Sequence, residues 1–245
     1  MSVTFEVGSK KKAYCRKCKG YRNCEIKGFY FQSDHNDHFS WTTEWFLLQC
    51  CGCDEVFCQT VATDSESYYY FTDEDGTEAR EPEETIEYWP AKNKRQRPEW
   101  MTDILSPLDE VDGLSKPLSE VYGALDNDLT ILATIGVRTV FDVCSAALGI
   151  DGDFTFKRKL EELVKLGKIG QLDQENLETL VEAGNASAHR GWLPNSQELT
   201  TILDILEHFL NVSFIAPSLR KQLDEKARKL KAKVPPKKGP KVKIP

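Results

Sequence analysis

No stretch of this chain approaches the roughly eighteen consecutive apolar residues of a membrane span. Its first residues, Met1-Ser2-Val3-Thr4-Phe5, also lack the basic-then-apolar pattern of a secretory signal. These two lacks lead to the expectation of a cytoplasmic protein with no membrane partner. Without an export signal, disulfides have no oxidising compartment in which to form, so the eight cysteines read as metal ligands or plain thiols. Basic charge is missing from most of the chain: residues 1–218 carry −16 and residues 219–245 carry +9. An acidic body of this kind argues against broad nucleic-acid binding by the body itself. At 245 residues, the chain has length for one large or two modest domains.

Residues 1–90 read as β-rich, with short aromatic and β-branched runs at Glu25–Gln32, Glu44–Cys50, Glu55–Val61 and Ser67–Thr72. The acidic stretch from Asp73 to Glu84 reads as a solvated loop. Within this part stand two Cys-x-x-Cys pairs, Cys15-Arg16-Lys17-Cys18 and Cys50-Cys51-Gly52-Cys53, separated by 31 residues. Each pair can present two thiolates from a tight turn, and together they complete a four-thiolate zinc site of ribbon type. Gly52 suits the turn that aims backbone amides at sulfur. Four thiolates leave no open coordination position, so one structural zinc is expected. Cys24, Cys51 and Cys58 read as packed or exposed thiols, and His35 and His38 as loop residues.

Residues 91–117, with Pro98, Pro107 and Pro117 and the basic run Lys92–Arg97, read as an extended linker pinned by Trp89 and Trp100. From Leu118 the apolar period becomes helical, over residues 118–217. One stripe runs from Leu118 to Cys144 and ends at Gly149, and a second helix ends at Gly167. A third is capped by Asp173, and a fourth opens on the capping box Asn195 and Glu198. Four such helices predict an antiparallel bundle. Residues 218–245 read as a basic, flexible tail, with a short helix at Leu219–Leu230. The fold class is therefore α+β, a zinc ribbon followed by an all-α bundle.

The third helix carries Gly184-Asn185-Ala186-Ser187-Ala188-His189, an amide and an imidazole one turn apart on one face. The first carries Arg138-Thr139-Val140-Phe141-Asp142, where Asp142 is one turn from Arg138 and can pair with it. Both stretches have a structural reading, as helix braces, beside a functional one.

These residues, behind a two-knuckle ribbon, resemble the bacterial domain family of unknown function numbered four-one-four-five, over roughly residues 10 to 215. That family is similar to the HEPN superfamily of four-helix, usually dimeric domains. Many of those are metal-independent ribonucleases of phage defence and toxin systems. The resemblance implies a homodimer, an RNA or defence-system partner, and a site at His189 and Asn185. The arginine of the superfamily motif falls on Gly184, which supplies no charge. Arg138 is the cation that could replace it, with Asp142 orienting it. The favoured expectation is a zinc-containing binding or regulatory protein in prokaryotic defence. Two alternatives stand beside it: an endoribonuclease using His189, Asn185 and Arg138, and a zinc-ribbon nucleic-acid reader using Lys92–Arg97 and the tail.

Overall fold

In the computed structural model, residues 5–72, 76–102 and 106–234 are described. The chain divides into two compact units, Met1–Lys94 and Arg95–Pro245. The first is β and the second helical, so the fold is α+β.

The β unit is a five-stranded antiparallel sheet, its strands being β1 (Lys10–Cys15), β2 (Gly20–His35), β3 (Ser40–Cys50), β4 (Val56–Asp64) and β7 (Thr85–Trp89), in that spatial order. Between β4 and β7, the strands β5 (Tyr68–Thr72) and β6 (Glu78–Pro82) form a separate two-stranded ribbon. Period-two alternation sets the inner face. Phe46, Leu48 and Cys50 of β3 are buried, whereas Trp45 and Leu47, at the alternate positions, face outward. A bulge at Lys27 shifts the register of β2, so that Ile26 pairs with Leu48 and Phe29 with Phe46. The inner core also takes Ala13, Cys15, Cys24, Phe57, Val61 and Tyr88. The polar loop after β2 turns on Asn36, whose Oδ1 accepts from the backbone N–H groups of His38 and Phe39, both at 2.9 Å.

The acidic stretch expected as loop is only partly so. Residues 73–75 lie outside the described residues, but Glu78–Pro82 pair with Tyr68–Thr72. Both faces of that ribbon meet solvent, so its charged residues cost nothing in burial, and Arg80 lies 4.2 Å from the Tyr68 ring centre.

The helical unit contains α1 (Glu99–Thr102), α2 (Ser115–Asp126), α3 (Thr130–Ala147), α4 (Phe156–Lys165), α5 (Gln171–Arg190), α6 (Ser196–Leu210) and α7 (Ala216–Lys231). Residues 107–110 add a turn of 3-10 helix. The stripe expected as one helix from Leu118 is two, α2 and α3. The chain reverses at Asn127-Asp128, where Asp128 takes a φ of +59° and the Asn127 amide donates to the Gly123 carbonyl at 2.8 Å. Helices α3 and α4 end at Gly149 and Gly167, both with positive φ, which a Cβ would strain. The cap of α5 is Gly170 rather than Asp173. Asp173 sits three residues into the helix and accepts from the Gly170 N–H at 2.9 Å, the reciprocal half of a capping box. Helix α6 opens with both halves present: Asn195 accepts from the Gln197 and Glu198 N–H groups, and Glu198 accepts from the Asn195 N–H at 2.7 Å.

Helices α6 and α7 are joined by a π turn at Asn211–Ile215 rather than by a break. Pro217 has no N–H to offer, and the wider turn absorbs that missing donor without stopping the helix. The boundary expected at residue 217 thus falls within continuous helix. The end beyond Val234 lies outside the described residues.

As helices, Thr130–Ala147 and Ser196–Lys231 each contain an 18-residue window of mean hydropathy 1.4, enough by length and composition to cross a bilayer. Neither is an unbroken apolar run, and the first includes Arg138 and Asp142. Their apolar character has a local cause. Val137, Val140, Phe141 and Cys144 of α3 and Ile202, Leu203, Leu206, Phe209 and Leu210 of α6 belong to the unit's core. At its centre, Phe141 lies between Phe156 and Phe209, with ring centres 5.8 and 5.4 Å away.

The approach of α2 to α3 depends on Gly136. A Cβ there would stand 2.8 Å from Cγ2 of the buried Val121. Valine has one well-populated rotamer in a helix and little freedom to yield. Gly136→Ala is expected to destabilise the helical unit by about 1–3 kcal/mol through overpacking. Thermal unfolding checks this, and an unchanged melting temperature would contradict the close approach.

Candidate metal centre and the Gly184–His189 face

Each cysteine pair occupies a turn that follows a strand. Cys15 ends β1 and Cys50 ends β3, and each turn closes on a residue with positive φ, Lys19 at +53° and Asp54 at +59°. The turns bend the chain so that Cys18 N–H points at Cys15 Sγ and Gly52 N–H at Cys50 Sγ, both at 3.4 Å. A Cβ on Gly52 would meet the Cys18 and Cys50 sulfurs at 3.7 and 3.8 Å, ordinary van der Waals contact.

The sulfurs of Cys15, Cys18, Cys50 and Cys53 all lie within 4.8 Å of one another. Cys15 is 3.5 Å from Cys53, and Cys18 is 3.8 Å from Cys50. A tetrahedral ion with metal–sulfur bonds of about 2.3 Å needs sulfur–sulfur edges of about 3.8 Å. The four residues therefore fit a metal ion. Burial raises the Cys50 thiol, but the N–H donors of Gly52 and Cys53 outweigh it and bring the thiol down to about 7. Cys18, sharing its hydrogen with Cys53, is instead pushed up to about 12. Thiolates this close repel one another, and a cation among them removes that conflict. Cys24 is buried in the sheet core, Cys51 and Cys58 are exposed, and none of the three joins the cluster, nor do His35 and His38.

In the helical unit, α5 carries the whole Gly184–His189 stretch, and α3 supplies Arg138. Gly184 is buried because the Arg138 stem lies across it: a Cβ there would stand 3.2 Å from Arg138 Cβ and 3.4 Å from the Thr134 carbonyl oxygen. The guanidinium then donates to Asn185 Oδ1 at 2.5 Å and lies 4.2 Å from the Phe156 ring centre. Arg138, Asn185 and the start of α4 are thus clamped together. Asp142 is not part of that clamp. The expected Arg138–Asp142 pair gives way to Lys159, whose ammonium reaches Asp142 Oδ1 at 2.7 Å from a nearly buried position on α4. Lys159 had no sequence signal of its own. Its position, three residues past Phe156 in a strongly amphipathic helix, could have suggested that its stem faces inward. His189 is exposed and has no hydrogen-bond partner among the described residues. Ser187, in the same stretch, is buried with an unpaired hydroxyl. The neighbouring Arg190 pairs with Glu182 at 2.6 Å.

The basic run Lys92–Arg97 is engaged within the chain. The Lys92 ammonium lies 4.5 Å from the Tyr88 ring centre and 5.5 Å from those of Tyr14 and Tyr21. Arg95 holds Glu207 through two bonds, at 2.6 and 2.7 Å, and Asp204 through a third at 2.6 Å. Arg97 lies over the Tyr122 ring. The tryptophans expected to pin this stretch also have partners. Trp89 stacks on Trp45 in the β unit, and Trp100 packs against the core of the helical unit.

The class these features define is an α+β protein whose β unit carries a four-cysteine cluster able to hold a metal ion. Within the helical unit, residues 119–233 match the model of the family described as "Domain of unknown function (DUF4145)". That span runs from the first turns of α2 to the end of α7. Neither the curated proteins nor the solved structures contain a match to this chain.

Proposed function

We propose that this chain is a cytoplasmic zinc-containing binding or regulatory protein, a zinc ribbon joined to a HEPN-like helical bundle. It acts as a homodimer through contacts with protein or RNA. The setting in prokaryotic antiviral defence rests on the family resemblance alone. The observation that carries the non-enzymatic reading is the engagement of the groups around His189. Arg138 is clamped to Asn185 and Phe156, and Asp142 to Lys159. Cleavage of RNA through its own 2′-hydroxyl needs a cation aimed at the phosphate where charge develops. Here the nearest candidate braces three helices. Zinc is the ion of choice for a closed site of four thiolates, and the four sulfurs here lie within 4.8 Å of one another.

The second reading is a metal-independent endoribonuclease. It draws on one observation: His189 is exposed one turn beyond Asn185, which already holds the Arg138 cation. Incubating the purified protein with total RNA separates the two. The favoured reading expects no cleavage, and no difference between wild type and His189→Ala. Cleavage that survives EDTA and disappears in His189→Ala would establish the ribonuclease. The nucleic-acid reader is the weakest alternative, since Lys92, Arg95 and Arg97 already have partners.

A further inference from the structure

Helix α7 buries no side chain. Leu219, Leu223 and Leu230 are 58%, 65% and 63% exposed. At about 100° per residue, these leucines and Ala227 fall in one sector of about 80°. Arg220 and Lys231 border that sector on one side and Lys226 on the other, Asp224 lies just beyond Lys231, and Lys221, Glu225 and Arg228 lie on the far side. The helix therefore presents an apolar stripe fenced by cations. Its complement is an apolar groove fenced by carboxylates.

Such a groove lies on α5. It is shallow and open, lined by Ala183, Ala186 and Trp192 together with Glu178 and Glu182. The one cation on its edge, Arg190, is neutralised by Glu182 at 2.6 Å. A second α7 is a poor partner for the first. Residues 216–231 contain six Lys or Arg against two acids, and two such helices side by side would repel.

We propose that α7 of one copy seats its leucine stripe in the α5 groove of a second copy, and that the second returns the contact, giving a symmetric dimer. Reciprocal exchange makes the two contacts identical and closes the assembly at two. The leucines cover Ala183, Ala186 and Trp192, and the flanking lysines and arginine meet Glu178 and compete with Arg190 for Glu182. This assigns an interface to the dimer in the proposed function and is independent of the zinc and RNA parts of that reading.

Charge reversal tests the contact on the full chain. One variant carries Lys226→Glu and Lys231→Glu, and the other Glu178→Lys and Glu182→Lys. All four positions are exposed, so the fold is retained, and far-UV circular dichroism verifies it. Sedimentation velocity is expected to find a wild-type dimer that weakens as salt is raised. Dimer affinity should fall by roughly tenfold or more in each variant alone. An equimolar mixture of the two should dimerise again, because each helix then meets a groove of opposite charge. A monomeric wild type, including one whose α7 binds anionic vesicles or RNA instead, would overturn the proposal. So would a dimer that survives in both variants, or a mixture that stays monomeric.

Discussion

Withdrawal of the metal is expected to unfold the β unit and leave the helical unit standing. Among the described residues, the inner core of the sheet has ten that are buried, and three of them are cysteines, two within the four-cysteine cluster. A core that small leaves little margin against the chain entropy of ordering the unit. The two knuckles end different strands, β1 and β3, which are not hydrogen-bonded neighbours but lie on either side of β2. A metal ion in the cluster would therefore join sheet positions that no backbone bond joins. Structural zinc contributes on the order of 10 kcal/mol or more of binding free energy, which is folding free energy wherever the unfolded chain lacks the site. Elemental analysis is expected to find one zinc per chain. Chelation, or Cys15→Ser, should abolish the β unit's unfolding transition while the helical signal keeps its own. Cys51→Ser and Cys58→Ser, at exposed thiols outside the cluster, should change neither zinc content nor melting. A purified wild-type protein without metal, or a Cys15→Ser variant that melts as wild type does, would refute the site.

Glu207→Ala should be among the most damaging single changes in the helical unit. Its carboxylate accepts two bonds from Arg95 and one, at 2.6 Å, from the Tyr122 hydroxyl. The Arg95 and Glu207 side chains are only 18% and 14% exposed. Burial and the hydrogen bond to Glu207 both push the Tyr122 hydroxyl above its ordinary range, so this group stays a neutral donor. Removing the carboxylate leaves a largely buried guanidinium with only Asp204, itself mostly exposed, and a buried hydroxyl with no acceptor. A loss of about 3 kcal/mol follows, mainly the desolvation of groups left without partners rather than the worth of the pair. Glu207→Gln should recover part of it by keeping an acceptor for Tyr122. Urea unfolding of the three proteins measures both effects. Equal stability of Glu207→Ala and wild type would show that the network is solvated.

The parts of this protein that can be read from the chain are those determined by neighbours in sequence. Two residues between cysteines force a tight turn whatever surrounds it, which is why both knuckles were legible. Asn195 and Glu198 make their reciprocal bonds within four residues, and Gly149 and Gly167 stop helices by their own backbone freedom. Strand β6 was not legible. Its charged sequence has low strand propensity, and only the pairing with β5 stabilises it. The split between α2 and α3 was hidden because the apolar period continues across Asn127-Asp128, and a period does not register a reversal of direction.

At the Gly184–His189 stretch, the sequence by itself determined a glycine, an amide and an imidazole on one helix, with Arg138 available on another. Only the tertiary structure decided what those groups do. A side chain's partner depends on which elements pack against its own. Asp142, four residues from Arg138, was in reach of it along the helix, yet α4 brings Lys159 closer to hand. The packing of α3 on α5 lays Arg138 over Gly184, where a Cβ would crowd it. The four cysteines of the cluster could be picked out by local spacing, but its closure across 31 residues needed β2 between the two knuckles. Local covalent geometry can be read one residue at a time, whereas the choice of partners is made by the whole fold.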